Sequence, residues 1–146
     1  MIKVNNFKNY LIIKDGDSMN KELCASIFVI DPDTKKILLV KHKEFQKWVQ
    51  PGGHLEDNEI PEETAAREVY EETGIKVKIM GDRFPREDDC IRPLGIQCNR
   101  KDGYMQVDVL YYGVPIGNTE PYIDDEETLS ARWFSREELD KINVFE

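Results

Sequence analysis

Three glutamates, Glu68, Glu71 and Glu72, have the spacing of side chains on one face of a helix. Because an α-helix turns by about 100° per residue, they fall within an arc of roughly 100°. Like charges at this spacing repel, at about 0.2 to 0.5 kcal/mol per pair in an isolated helix, and a bound cation would reverse the effect. Hard divalent cations take oxygen ligands, so carboxylates without histidine or cysteine favour Mg²⁺ or Mn²⁺ over Zn²⁺.

The same glutamates also suit an ordinary solvated helix face, which is the usual role of a run of charges. The acidic excess is local, since residues 56 to 72 hold eight acids and one base, Arg67. The whole chain carries a formal net charge of −9, which repels nucleic-acid phosphates and anionic lipid. On residue types alone both interpretations stay open, and neither a nucleic-acid nor a membrane partner is expected.

The helix that carries the glutamates has recognisable ends in the sequence. Pro61 suits the first helical position, acids follow it in the first turn, and Gly74 suits the left-handed residue that ends a helix. Apolar and β-branched runs predict strands on both sides of this helix. The predicted strands are residues 24–30, 36–40, 75–79, 94–97 and 105–112, and Ser135 begins a closing helix with capping-box spacing.

A chain of 146 residues without repeats or linkers predicts a single domain. The order of strands, helix, strands, helix predicts an α/β fold with a mixed sheet covered on both sides. Residues 1–22 are assigned to an N-terminal segment packed on the domain edge, and residues 23–146 to the domain itself. Three unpaired cysteines, no apolar run of about 20 residues and no signal-like N-terminus lead us to expect reduced thiols and a cytoplasmic protein.

The segment from Gly53 to Ile75, GHLEDNEIPEETAAREVYEETGI, resembles the Nudix box. That motif is a glycine, five residues, a glutamate, seven residues and then R-E-U-x-E-E-x-G-U, with U aliphatic, and every fixed position is filled. From average composition the chance per window is on the order of 10⁻⁹. The flanks also resemble MutT-type members, so the resemblance covers roughly residues 23 to 142. Asn58 stands where many members carry glycine, and Asn tolerates left-handed backbone angles.

The resemblance implies a Nudix-type α/β/α sandwich with a mixed central sheet and a metal-dependent hydrolase of phosphoanhydrides. It implies that the three helical glutamates hold Mg²⁺ or Mn²⁺. The Gly53 region would offer a backbone carbonyl as a further ligand. A late carboxylate is also expected in the acidic stretch of residues 124–127, and the spacing to Trp133 favours Glu127.

The resemblance also implies roles for the remaining site residues. Glu68 is expected to act as the general base or to orient it, while Arg67 and Glu59 pair to hold loop and helix in register. His54 and His42 are assigned to phosphate contact, with structural hydrogen bonds as the alternative. The expected substrate is a small nucleoside diphosphate linked to another group, or a nucleoside triphosphate. A catalytically silent nucleotide-sensing module and a non-enzymatic acidic interaction domain are the competing functions.

Overall fold

The computed structural model describes residues 20–44, 46–86, 90–101, 103–124 and 126–142. Residues 1–19, most of the predicted N-terminal segment, lie outside these ranges. Residues 20–22, assigned to the same segment from the sequence, open the first strand instead. Among the described residues, no helix is both long enough and apolar enough to span a membrane.

The described residues form strands and helices in the predicted order, with additional short strands. They are β1 (Asn20–Ile30), β2 (Ile37–His42), β3 (Trp48–Val49), β4 (Gly52–His54), α1 (Pro61–Thr73), β5 (Lys76–Met80), β6 (Gly95–Lys101), β7 (Tyr104–Ile116), β8 (Thr128–Phe134) and α2 (Arg136–Leu139).

The sheet is mixed, as the strand order predicts. β1 and β7 run parallel from the pair Asn20 and Tyr104 to the pair Val29 and Gly113. All other pairings are antiparallel: β2 and β4 with β1, β5 and β6 with β7, and β3 and β8 with β2. The long central pair therefore fixes where every other strand sits.

Helix α1 packs on one face of the sheet and closes the apolar core. Ala65 and Val69 of α1 are fully buried against Ala25 and Ile27 of β1 and Tyr111 of β7. Because successive strand residues point to opposite faces, this core takes the odd-numbered residues of β1. The even-numbered residues point to the other face of the sheet, which α1 leaves uncovered.

Strands β3, β4 and β8 were not predicted as strands. β4 is Gly-Gly-His, which has no apolar alternation, and it extends because it pairs with Cys24, Ala25 and Ser26 of β1. Pairing partners thus override the weak local preference of this segment. The capping box at Ser135 is present, since its N–H donates to Glu138 Oε2 at 2.8 Å, but α2 is a single turn.

Both ends of α1 follow the prediction. Pro61 is its first residue, and Gly74 after its last adopts a left-handed conformation with φ of 69°. The Gly74 N–H donates to the Tyr70 carbonyl at 2.8 Å, which satisfies one of the unpaired carbonyls at the helix end. Asn58 also adopts a left-handed φ of 69°, so asparagine keeps the turn that glycine makes in many members.

The left-handed backbone at the end of α1 gives a first testable prediction. Replacing Gly74 by Ala places a Cβ in a conformation that costs L-residues about 1 to 2 kcal/mol, and the free energy of unfolding should fall by that amount. Urea unfolding followed by circular dichroism measures the change. Gly95→Ala is the matched control, because an added Cβ meets nothing within 4 Å there and the backbone is not left-handed. Equal losses in both variants would contradict the explanation.

Candidate active site

Arg67 lies at the centre of the charged cluster on α1. Its Nε donates to Glu59 Oε1 at 2.7 Å and its Nη2 donates to Glu59 Oε2 at 3.1 Å. Its Nη1 donates to Glu68 Oε1 and to Glu71 Oε2, both at 2.9 Å. Its Nη2 also donates to the backbone carbonyl of His54 at 3.0 Å. One guanidinium therefore ties the loop after β4 to two of the three helical glutamates, and the expected Arg67–Glu59 pair is present.

The electrostatic environments of Glu59 and Glu68 differ. The hydrogen bond from Arg67 lowers the pKa of Glu59 to about 2, helped by the Thr64 hydroxyl and by the backbone N–H of Glu56. Burial raises the pKa of Glu68, because loss of water disfavours the ionised carboxylate, and the contact with Arg67 opposes that rise. These carboxylates also raise the pKa of Arg67, which stays cationic.

The glycine turn lies directly against the acidic face of α1. Glu72 is only 8% exposed, and its Oε2 accepts a hydrogen bond from the Gly52 N–H at 3.1 Å. A Cβ on Gly53 would overlap the Glu68 carboxylate, and one on Gly52 would overlap Ser26. Gly52 is required because neighbouring backbone of β1 leaves no space for a side chain, whereas a side chain at Gly53 would displace the Glu68 carboxylate.

An open cleft of about 1110 Å³ lies on the sheet face opposite the α1 core. Its walls come from β1, β6, β7, the glycine turn, the end of β2 and the segment just before β8. Of the residues singled out from the sequence, the cleft is lined by His42, Gly53, His54, Glu72 and Glu127. Glu59, Arg67, Glu68 and Glu71 do not line it; Arg67 and Glu68 lie next to its wall, at His54 and Gly53.

Both histidines make hydrogen bonds within the protein. The Nε2 of His54 lies 2.9 Å from Glu22 Oε2, and the Nδ1 of His42 accepts from the Glu44 N–H at 3.2 Å. The Nε2 of His42 also lies 4.0 Å from Glu127 Oε2, in a side chain that is 80% exposed. These contacts match the structural alternative considered for the histidines, and phosphate contact stays a prediction.

Within the described part of the chain, no group of three or more His, Cys, Asp or Glu side chains is arranged to hold a metal ion. Arg67 draws one oxygen of Glu68 and one of Glu71 towards itself, while Glu72 bonds to Gly52. The donor types still fit a hard divalent cation, because all three are carboxylates and Arg67 bonds to only one oxygen of Glu68 and one of Glu71. The assigned metal ligands therefore stay predictions.

The floor of the cleft contains polar residues that sequence reasoning missed. Asp108 is 7% exposed, and its Oδ2 accepts from the Ser26 hydroxyl at 2.7 Å. Burial raises the pKa of Asp108, and that hydrogen bond opposes the rise. Gln106 donates to the Cys24 sulfur at 3.2 Å. One signal in the sequence was available, since Asp108 is the one acid in the largely apolar sequence of β7.

The fold and the site together define a class of protein: an α/β domain in which a glycine turn on a mixed sheet meets an acidic helix beside an open cleft. A family model described as the NUDIX domain matches residues 20–146. The chain therefore belongs to the NUDIX domain family.

Known proteins similar to this chain agree with that membership. A "Putative 8-oxo-dGTP diphosphatase" of Bacillus subtilis (strain 168) is 29% identical over 111 residues, which are 76% of this chain and 64% of that protein. "Diphosphoinositol polyphosphate phosphohydrolase 3-alpha" of Mus musculus is 32% identical over 65 residues, 44% of this chain and 40% of that protein. The chain thus spans less than two thirds of both relatives.

A solved structure shows the same fold. The hydrolase of the NUDIX family from Clostridium perfringens superposes with a TM-score of 0.73 at 27% identity, covering 86% of this chain and 89% of that one. The MutT protein from Methanosarcina mazei Go1 superposes with a TM-score of 0.69 at 18% identity, covering 90% and 88%. The predicted α/β fold of the Nudix type is confirmed.

The Arg67 cluster gives a second testable prediction. Replacing Glu59 by Gln leaves the shape but removes the charge that binds the guanidinium at two atoms, and the free energy of unfolding at pH 7 should fall by about 1 to 3 kcal/mol. Glu56→Gln is the matched control: its carboxylate lies 4.0 Å from Arg67 and is 68% exposed, so we expect a loss of no more than about 0.5 kcal/mol.

The stability difference between the parent and Glu59→Gln should depend on pH. The pKa of Glu59 falls from an ordinary 4.5 to about 2 on folding. A depressed pKa stabilises the folded state fully above the unfolded value, and this stability is lost as the pH falls through the folded value. The difference in stability between parent and Glu59→Gln should therefore shrink as the pH falls from 4.5 to about 2. A constant difference across that range would contradict the charged pair.

Proposed function

We propose that this protein is a divalent-metal-dependent hydrolase that cleaves the phosphoanhydride bond of a nucleoside diphosphate linked to another group, nucleoside triphosphates included. One observation carries the proposal: Glu68, Glu71 and Glu72 share α1, and the glycine turn lies against Glu68 and Glu72 beside the open cleft. Membership in the NUDIX domain family supports it, since Nudix hydrolases generally use a divalent metal ion.

The metal would be held by Glu68, Glu71 and Glu72, with the Gly53 carbonyl and Glu127 as further oxygen donors. When bound there, a divalent cation neutralises charge on the diphosphate and lowers the pKa of an attacking water. Mg²⁺ fits this donor set, because it binds through a few carboxylates together with water and substrate phosphates. Mn²⁺ accepts the same oxygen ligands.

The protein's own groups would place and deprotonate the attacking water. Glu68 is the most suitable base or orienting group, because its carboxylate lies against Gly53 and burial raises its pKa. Arg67 holds Glu68 and Glu71 in position through Nη1, and Glu59 in turn holds Arg67 through two hydrogen bonds. Arg67 and Glu59 act through the glutamates, so they are positioning residues.

The cleft and the relatives support this substrate class. A cleft of about 1110 Å³ has room for a nucleotide, given that pockets for small molecules commonly span about 300 to 1,000 Å³. The two relatives described above are named for acting on 8-oxo-dGTP and on diphosphoinositol polyphosphate, and both of these molecules contain phosphoanhydrides. The acidic cleft walls favour a substrate that arrives with bound cations.

One observation favours the alternative, a module that binds nucleotide without turning it over. The three helical carboxylates do not converge on one point, and no described group of side chains is arranged as a metal shell. Such a module would bind nucleotide in the cleft and show no hydrolysis in the presence of Mg²⁺ or Mn²⁺.

Hydrolysis assays decide between these functions and give a third testable prediction. With Mg²⁺ or Mn²⁺, nucleoside triphosphates and nucleotide-linked diphosphates are supplied to the parent and to Glu71→Gln and Glu72→Gln. Each substitution should lower kcat/KM by about 100-fold or more, because a catalytic metal contributes several kcal/mol of transition-state stabilisation. A chelator should abolish turnover by the parent.

Glu63→Gln is the matched control for these variants. Glu63 is an exposed glutamate of the same helix whose carboxylate caps the Ile60 N–H at 3.1 Å, and glutamine can make the same bond. Its kcat/KM should stay within about twofold of the parent value. Equal activity in all variants, or hydrolysis that survives the chelator, would overturn the metal-dependent mechanism. Nucleotide binding without any hydrolysis would support the sensing module.

A further inference from the structure

The floor of the cleft is a polar surface made by alternate residues of two neighbouring strands. Tyr104, Gln106 and Asp108 of β7 line the cleft, as do Gln97 and Asn99 of β6. The strand register sets Gln97 opposite Asp108 and Asn99 opposite Gln106. The register therefore sets three amide residues at positions next to one carboxylate, on the face of the sheet that α1 does not cover.

Asp108 has one carboxylate oxygen without a partner. Its Oδ2 accepts from the Ser26 hydroxyl at 2.7 Å, whereas Oδ1 is buried and has no hydrogen-bond partner among the described residues. A buried polar atom in this state costs folding free energy, so native structures satisfy nearly all of them. An apolar residue at position 108 would avoid that cost at Oδ1 but would leave the buried Ser26 hydroxyl without its acceptor. An asparagine would accept from Ser26 without burying a charge, so the fold alone does not require an aspartate here.

The chemistry of this oxygen limits what part of a substrate can lie on it. An ionised carboxylate oxygen only accepts hydrogen bonds, so a ligand group that reaches Oδ1 must be a donor. Phosphate oxygens are negatively charged acceptors and are repelled. The diphosphate therefore belongs beside Gly53 and Glu72. Strand β1 lies between Gly53 and Asp108, because β4 and β7 pair with opposite edges of β1, and the nucleoside end lies over the Asp108 floor.

Among the groups of a nucleoside, an exocyclic amino group of the base fits this floor best. It projects from the base edge and offers two N–H donors, and the ring atoms beside it alternate between donors and acceptors that amide side chains can match. A base with a carbonyl in that position sets two acceptors face to face. Tyr104 and Phe28 also line the cleft and offer ring surface to the base.

We propose that Asp108 selects nucleotides whose base carries an exocyclic amino group: Oδ1 accepts an N–H from that group, while the Ser26 hydroxyl fixes the carboxylate through Oδ2. This selection rests on the proposed function only for the placement of the diphosphate. Asp108 contacts the base and takes no part in cleaving the phosphoanhydride.

Two pairs of nucleotides test the selection in the parent protein. They differ in this group and in the neighbouring ring nitrogen, which is an acceptor beside the amino group and an N–H donor beside the carbonyl. CTP and UTP differ by an amino group in place of a carbonyl oxygen, and so do ATP and ITP. We expect kcat/KM to favour the amino member of at least one pair by about tenfold to 100-fold, the range that a hydrogen bond to a charged group supports. Discrimination below about twofold in both pairs would overturn the proposal.

The variant Asp108→Asn gives a fourth testable prediction, a change in preference. The Ser26 hydroxyl keeps its acceptor in the Asn oxygen, so the amide nitrogen takes the place of Oδ1 and donates into the cleft. Preference for the amino base should disappear or reverse in favour of UTP or ITP, while kcat for the best substrate changes little. Circular dichroism confirms that the variant is folded, and an unchanged ratio in a folded variant overturns the proposal.

Two controls distinguish a contact between Asp108 and the base from other causes of a changed CTP to UTP ratio. Glu44→Gln removes the same charge from the cleft wall without changing the floor, so its CTP to UTP ratio should stay within about twofold of the parent. If dCTP loses as much as UTP and Asp108→Asn removes that loss, a sugar hydroxyl is the donor and the assignment to the base is wrong.

Binding measurements keep this test independent of turnover. If the parent hydrolyses no nucleotide, calorimetric titration with CMP against UMP and with AMP against IMP replaces the kinetic ratio. Amino-selective binding that Asp108→Asn abolishes would support the selection while the proposed hydrolase fails. Hydrolysis without discrimination between the bases would support the proposed hydrolase and reject the role of Asp108. If the parent shows no hydrolysis and no selective binding, both the proposed hydrolase and the role of Asp108 are rejected.

Discussion

The guanidinium of Arg67 is the cation around which the acidic helix is organised. Glu59, Glu68 and Glu71 would repel one another if left to themselves, yet each directs a carboxylate oxygen to Arg67 at 2.7 to 2.9 Å. The rigid planar fork of arginine contacts both oxygens of Glu59 and two further carboxylates at once, which a lysine could not do. The side chains of Arg67, Glu59 and Glu68 are only 16 to 20% exposed, so these contacts are poorly screened by water.

The glycine turn depends on this arrangement and completes it. β4 approaches α1 so closely that a side chain at Gly53 would occupy the position of the Glu68 carboxylate. The turn is held from its other side by β1, where the Ile27 N–H donates to the Pro51 carbonyl at 3.0 Å. A helix, a loop and a strand edge thus meet at one place, and the predicted metal ligands Glu68, Glu72 and the Gly53 carbonyl belong to that place.

The two faces of the sheet carry different residues: one face packs in the core under α1 and the other lines the cleft. Ala25 and Ile27 of β1 face the core under α1, while Cys24 and Ser26 face the cleft. The parallel pair of β1 and β7 sets Cys24 beside Asp108. Ser26, two residues further along β1, then donates its hydroxyl to Asp108 of β7. Side chains such as Gln97 and Asn99 are tolerated on this face because they line the open cleft, whereas polar residues in the apolar core would have no partners.

The sequence by itself determined the features that depend on neighbours along the chain. Pro61 and Gly74 set the ends of α1, Asn58 keeps a left-handed turn, and the box spacing places Glu68 and Glu71 on a helix with Arg67. Helix caps and side-chain pairs three or four residues apart are local, so their chemistry can be read from spacing.

Tertiary structure alone decided the features that depend on residues far apart in the chain. β4 becomes a strand only because β1 offers its backbone, and Asp108 meets Ser26 across 82 residues of sequence. A strand gains its hydrogen bonds and its cross-strand neighbours from partners that no local pattern specifies. For that reason the acidic helix could be located from the sequence as a candidate site, whereas the polar floor of the cleft could not.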